Sequence, residues 1–456
     1  MTEKLNVCLM NDSFPPAIDG VANAVVNYAN VINSELGSAT VVAPAYPNVE
    51  DNYPYEVVRY KSVNIEKICG YRAGYPFSSS KLQSLSEQKF DIIHTHCPWA
   101  SALMARVLRE KTGAPIVLTY HTKFDIEIQR ALPIKAMQSQ AERFILGNIA
   151  ACDRVWTVSK GARDNLMAIA NRHSGFEIDG DKIDIVENGV DFPCGRAEAE
   201  YVEKLRDAYA VPNDVPLFLF VGRLMWYKGV RLILDALKNI SLRGDDFRML
   251  FVGDGADRQE MEEYVQQLGL SDKCIFAGAI RDREELRVYY TAADLFLFPS
   301  EYDTNGIVVR EAAACGVGSL LIENSCASEG ITDGRTGVLT KPDAADIAEK
   351  LHFACGHREE IRQIGDHAMN EVYLSWEDAV KRAYNLYPAI IESKRWGSTE
   401  RHESYMQEEF FSLIDSVTDS IQRFRSIPAE IRGDIKETRD LFRANWQKIK
   451  DNINRR

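Results

Sequence analysis

Short apolar runs alternate with segments whose apolar positions recur at three- and four-residue spacing, and this alternation organises the first half of the chain. Leu5-Asn-Val-Cys-Leu-Met10 reads as a strand, Asn11 to Gly20 as a loop and Val21 to about Leu36 as a helix, which together open a doubly wound α/β domain. Further strands are expected at Ala39–Ala43, Glu56–Tyr60, Asp91–His94, Pro115–Thr119, Arg154–Val158 and Ile183–Val186. Helical patterns separate most of them, at Trp99–Lys111, Ile134–Ala151 and Lys160–Asn171. The segment Tyr46–Ser80, rich in Tyr, Pro and Ser, is expected to be irregular and to cover a binding cleft.

The pattern restarts after Asn188-Gly-Val-Asp191. A polar helix at Glu198–Tyr209 leads to the β-type run Pro216–Gly222, and strands at Phe247–Val252, Lys273–Ala277 and Ala292–Phe298 then alternate with helices at Gly229–Leu242, Asp257–Leu268 and Arg283–Ala293. Val317–Ile322, Gly337–Leu339 and a helix at Ala344–Cys355 complete a second α/β unit, without a repeat visible in the letters. The domain plan is therefore 1–190, 191–375, a closing helix from Trp376 to Ser393 within 376–398, and a tail at 399–456. In the tail, Met406, Phe410, Leu413, Ile414, Val417, Ile421 and Phe424 form one amphipathic stripe, Pro428 interrupts it, and a second runs from Ile431 to Ile453. Two readings fit: a helical appendage packed on the protein or on a second copy, or a membrane-surface helix whose polar face carries Arg423, Arg425, Arg432, Arg439 and Arg443.

Composition narrows the class. At 45% apolar and 27% charged residues, the 456-residue chain is an ordinary globular protein. No window is long and apolar enough to span a membrane and no signal peptide is apparent, so a cytoplasmic location, peripheral on the inner membrane face, is expected. The nine cysteines are scattered singly, without zinc or disulfide spacing. A net charge of −13 argues against nucleic-acid binding. Residues 1–190 and 393–456 are each close to neutral, so that excess sits in the middle of the chain.

Candidate chemistry gathers where strands end. Val221-Gly-Arg-Leu-Met-Trp-Tyr-Lys-Gly229 puts Arg223 and Lys228 between a strand end and a helix start, the arrangement that holds a diphosphate by charge and backbone N–H together. Phe298 to Gly316 repeats the theme, with Asp303 and Glu311 flanking a turn before a helix that begins near Ile307. Gly20 closes the first loop, where its missing side chain would admit a phosphate to the helix start, and His121 lies just past another strand end. His94 and His96 alternate along a strand and are expected on opposite faces, which argues against a shared metal.

Taken together, Gly20-Val-Ala, Val186-Glu-Asn-Gly-Val-Asp191, Val221-Gly-Arg with Lys228-Gly, Phe251-Val-Gly-Asp-Gly255, Phe276-Ala-Gly278 and Pro299-Ser through Gly306 to Glu311-Ala-Ala-Ala-Cys-Gly316 resemble glycosyltransferase family 4 in order and spacing over about residues 4–392. The resemblance implies the GT-B fold: two Rossmann-like α/β domains facing a cleft, here with a C-terminal helical extension. It implies retention of anomeric configuration, a nucleotide-sugar donor (UDP is the expected nucleotide) and no metal or other cofactor. By the same resemblance, Arg223 and Lys228 bind the donor diphosphate and stabilise the leaving group, Gly20 supports it, and His121 lies near the donor sugar. Glu311 matches the acid that binds the ribose, Gly306, Ile307 and Val308 the loop on sugar and phosphate, and Ile280 and Arg281 the base-contacting segment. The family usually has Glu at Asp303 and Phe at Asn305, so donor preference is expected to be set there. The favoured acceptor is a membrane lipid such as diacylglycerol. The alternatives are a soluble or polysaccharide acceptor, or an inactive sugar-nucleotide-binding module.

Overall fold

A computed structural model describes residues 4–17, 19–64, 72–132, 134–176, 178–301, 303 and 306–393. The tail at 399–456 and Asn305 lie outside the described residues. Contacts divide the chain into two units: Met1–Val158, Ala162–Val186 and the chain from Val380 on in the first, Ser159–Gly161 and Glu187–Ala379 in the second.

The first unit is built on a parallel sheet. Its strands are β1 (Asn6–Met10), β2 (Ser38–Pro44) and β3 (Glu56–Tyr60), followed, after a hairpin of β4 (Ser62–Asn64) and β5 (Arg72–Gly74), by β6 (Ile92–Thr95), β7 (Ile116–Tyr120), β8 (Arg154–Thr157) and β9 (Ile183–Ile185). Their order is β3-β2-β1-β6-β7-β8-β9, so the winding reverses between β1 and β6. Parallel strands covered on both faces read as continuous apolar runs, and every residue of β6 and β7 is buried. The β4–β5 hairpin corrects the expectation of an irregular Tyr46–Ser80: it is antiparallel, and strands of three residues are too short to display a period. Helices Ser79–Ser86 and Phe124–Ala131 are further elements that the pattern did not reveal.

The expected closing helix is two helices, Trp376–Tyr384 and Tyr387–Glu392. Pro388 has no N–H to offer the Tyr384 carbonyl and its ring crowds that position, so the helix stops and restarts with Pro388 in its first turn. The end of the first helix and the restarted piece are both tied into the first unit. The Tyr384 hydroxyl accepts from Leu5 N at 2.7 Å and donates to Leu36 O at 3.0 Å, while the Tyr387 hydroxyl lies 2.8 Å from His94 Nδ1.

The second unit carries six parallel strands: β10 (Leu217–Val221), β11 (Arg248–Val252), β12 (Cys274–Gly278), β13 (Leu295–Phe298), β14 (Gly318–Ile322) and β15 (Val338–Thr340). The order β12-β11-β10-β13-β14-β15 reverses between β10 and β13. Phe218, Phe220, Phe247 and Phe251 are fully buried in its core, and Phe251 stacks on Phe276 at 4.9 Å. Each such ring contributes about 2–3 kcal/mol by burial alone, so the sheet that presents the loops is rigid. Helix Arg358–Glu371, also not expected, packs beside β14.

Candidate functional site

In a parallel sheet every strand delivers its following loop to the same edge, and where the strand order reverses two loops part toward opposite faces and leave a crevice. In the second unit those loops are Gly222–Gly229 after β10 and 299–306 after β13. They touch. Gly229 has φ 82°, and a Cβ there would lie 2.0 Å from Pro299 O, so neither the backbone conformation nor the space admits a side chain. The first loop is pinned elsewhere too, by Trp226 N donating to Asp257 Oδ2 at 2.8 Å and Leu224 N to Asp254 O at 3.0 Å.

Lys228 closes the short 3-10 turn Trp226–Lys228 and places its Nζ 2.9 Å from both carboxylate oxygens of Asp303. Arg223, in the same loop, is exposed and has no ion pair among the described residues. Past the second loop, Gly306 at φ 55° starts the helix Ile307–Ala314 without a side-chain cap. The first-turn N–H groups of Ile307 and Val308 therefore have no acceptor within the helix and carry its positive end. The edge thus combines one unpaired guanidinium, one paired ammonium and an uncapped helix start, which suits an anion.

Glu311, one turn further on, is buried rather than solvated. Its Oε1 accepts from Arg283 Nη1 at 2.8 Å and its Oε2 from the Tyr290 hydroxyl at 3.0 Å. Burial pushes its pKa up, and the Arg283 guanidinium opposes that shift. Arg283 also lies over the Phe192 ring at 4.9 Å. Sequence reasoning missed Arg283 and Tyr290; their spacing of seven on one helix puts them on one face, but nothing local ties that face to Glu311. Ile280 packs half-buried against the core just past β12, and Arg281 beside it is exposed, on the same sheet edge two strands from the reversal.

In the first unit, Gly20 is exposed and a Cβ there would meet nothing within 4 Å. The helix it begins, Gly20–Val31, is already capped: Asp19 Oδ1 accepts from Val21 N and Ala22 N, both at 2.8 Å. An anion at this helix start would meet the Asp19 carboxylate.

His121 follows β7 and shares a hydrogen bond with His96, Nε2 to Nδ1 at 3.0 Å. The expectation that His94 and His96 point to opposite faces is wrong, because residues two apart on a strand share a face. Their rings lie 4.0 Å apart. Burial holds all three imidazoles neutral, pushing His121 down to about 3 and His94 and His96 well below the ordinary value. His96 Nε2 is buried without a partner among the described residues, so the proton costs less on Nδ1, where it is donated to His121 Nε2. His121 then carries its own proton on Nδ1. Among the described residues no group of three or more His, Cys, Asp and Glu has the geometry to hold a metal ion.

Two parallel doubly wound units, the second with an anion-suited edge at its winding reversal, are the architecture of the GT-B fold, and comparisons with known proteins identify a glycosyltransferase. The model of Glycosyltransferase Family 4 matches residues 18–192 and that of Glycosyl transferases group 1 matches residues 202–370. The chain belongs to glycosyltransferase family 4. It is 22% identical over 416 residues to the alpha-monoglucosyldiacylglycerol synthase of Streptococcus pneumoniae, covering 90% of this chain and 91% of that one. It is 28% identical over 322 residues to an uncharacterised glycosyltransferase of Methanocaldococcus jannaschii, covering 68% and 78%. Among solved structures, Anabaena HepE in complex with UDP matches with a TM-score of 0.67 at 16% identity, covering 84% of this chain and all of that one.

Proposed function

We propose that this glycosyltransferase moves a hexose, with retention of configuration and without a metal or other cofactor, from a UDP-linked donor to a hydroxyl of a membrane lipid such as diacylglycerol. The observation that carries the donor half is the placement of Arg223, Lys228 and the uncapped helix start at Gly306 on the two loops that flank the winding reversal of one sheet. UDP is the nucleotide bound by the structurally similar HepE. The acceptor half rests on the pneumococcal diacylglycerol-glycosylating relative, whose likeness runs over 90% of this chain.

In this reading Arg223 and Lys228 carry the charge that develops on the departing diphosphate, the contribution a metal makes in other transferases. A diphosphate oxygen on the front face accepts the proton of the incoming lipid hydroxyl while the sugar passes through an oxocarbenium-like state. Glu311 accepts from the ribose, Ile280 and Arg281 contact the base, and Asp303, Asn305 and the backbone of Gly306, Ile307 and Val308 meet the sugar and phosphate. Neutral His121 donates to a sugar hydroxyl, and Gly20 leaves room for the phosphate. Retention of Arg223, Lys228 and Glu311 weighs against an inactive binding module. The amphipathic tail at 399–456 is the expected membrane contact, and no helix among the described residues is long and apolar enough to cross a membrane.

The test is transfer of radiolabelled glucose from UDP-glucose to diacylglycerol in anionic vesicles, with co-sedimentation of the full chain and of a chain lacking residues 399–456. Glucosylated lipid and tail-dependent sedimentation are expected. Donor turnover onto soluble acceptors alone, with no vesicle binding by either form, would remove the lipid from the proposal and leave the transferase.

A further inference from the structure

The Glu311 carboxylate is fully engaged from one side of the sheet edge. Arg283 and Tyr290, on the helix Arg283–Ala292, each donate to one of its oxygens, at 2.8 and 3.0 Å. Each carboxylate oxygen has a second lone pair, so both can still accept from a diol. Among the described residues, the other charged or titratable groups facing it are Asp191, in the segment between β9 and the helix Ala199–Ala208, and Cys315, just past the end of its own helix, and neither supplies positive charge. Arg283 is thus the cation that balances a carboxylate only 6% exposed, while its own side chain is 44% exposed and rests against Phe192. A buried carboxylate that loses its cation takes up a proton and becomes half donor, half acceptor.

We infer that Arg283 is a positioning residue that keeps the Glu311 carboxylate charged and oriented as the acceptor for the ribose hydroxyls of the donor nucleotide. This rests on the proposed contact between Glu311 and the ribose. Arg283 acts through Glu311 and makes no contact with the nucleotide itself. Tyr290 fixes the second oxygen but carries no charge, so it orients without holding the proton off.

The readout is the ratio of affinities for UDP and 2′-deoxy-UDP, measured by calorimetry from pH 8 to pH 6 on the full chain. Both ligands carry the same diphosphate, so its titration cancels in the ratio. The unsubstituted chain is expected to prefer UDP by about tenfold, the worth of one hydrogen bond to a charged group, at every pH in that range. Arg283→Gln is expected to lose that preference progressively as the pH falls, Arg283→Lys to restore it, and Glu311→Gln, neutral at every pH, to lower it to one level across the whole range. An Arg283→Gln ratio that stays level with that of the unsubstituted chain, or equal loss of affinity for both nucleotides at every pH, overturns the inference. A Glu311→Gln chain with an unchanged ratio instead overturns the ribose contact on which it rests.

Discussion

Lys228 Nζ lies 2.9 Å from both carboxylate oxygens of Asp303, a residue 75 positions further along the chain. The pair is largely shielded, with side-chain exposures of 14% and 22%. It joins the two loops at the winding reversal, and it places an acid of the chain where the proposal puts a donor diphosphate. Replacing Asp303 with Asn is therefore expected to raise affinity for UDP severalfold by removing a like charge, while transfer falls because the sugar's acceptor is no longer charged. Calorimetry with UDP beside turnover with UDP-glucose separates the two effects, and weaker UDP binding in Asp303→Asn would show that Asp303 holds Lys228 in place rather than competing with the phosphate.

Arg223 gives the cleaner test of leaving-group stabilisation, since among the described residues it pairs with nothing and its loss leaves no orphaned partner. Arg223→Ala is expected to lower kcat by about 10²–10³, the usual effect of deleting one preorganised contact to developing charge, with an unchanged melting curve. Lys228→Ala should cost as much activity and also free Asp303. Normal turnover in both variants would move the diphosphate site elsewhere.

Gly229 and Gly20 make a matched pair. Gly229→Ala forces a Cβ to within 2.0 Å of Pro299 O at a positive φ and is expected to destabilise the second unit by several kcal/mol, about 2–4. Gly20→Ala meets open space at the start of a helix, where Ala is the better helix former, so the melting temperature should hold or rise slightly while kcat/KM for the donor drops. Thermal melts alongside kinetics decide it: a Gly20→Ala enzyme with full activity would mean that no ligand approaches that position.

The buried histidines set an acid limit on the first unit. His94, His96 and His121 are held below the ordinary imidazole value of about 6.5, with His121 at about 3. The unfolded chain therefore binds more protons than the folded one at acid pH, and stability present above about 6.5 is lost as the pH falls toward 3. Between pH 7.5 and pH 5 the cost for His121 is about 2 kcal/mol, and His94 and His96 add to it in the same direction. Asp12, whose pKa burial raises, works in the opposite sense. Urea midpoints of the first unit's transition at the two pH values should differ clearly; equal midpoints would mean that water reaches the three rings.

Much of this was legible in the letters, for a physical reason. Strands buried on both faces need apolar residues at every position, so β1, β7 and β10 stood out from the sequence to within a residue or two, and glycines at strand exits announced the loops. The two short strands of the β4–β5 hairpin carry too few residues to show a period. Pro388 is plain in the letters, and its known effect on a helix interior accounts for the break in the closing helix. The shared face of His94 and His96 follows from the strand period of two alone.

By itself the sequence determined the α/β class, the order of elements, the edge of the sheet on which chemistry gathers and the residues Arg223, Lys228 and Glu311 as candidates, because these depend on local period and on the residues just past each strand. Only the tertiary structure decided which of those charges are already satisfied. Lys228 meets Asp303, Glu311 meets Arg283 and Tyr290, Asp19 caps the helix at Gly20, and His96 orients His121, while Arg223 alone of the candidate cations at the second unit's winding reversal is left without an ion pair among the described residues. Except for the Asp19 cap, these partners come from segments far apart in the chain, and what brings them together is the winding of each sheet, which no local pattern of letters encodes.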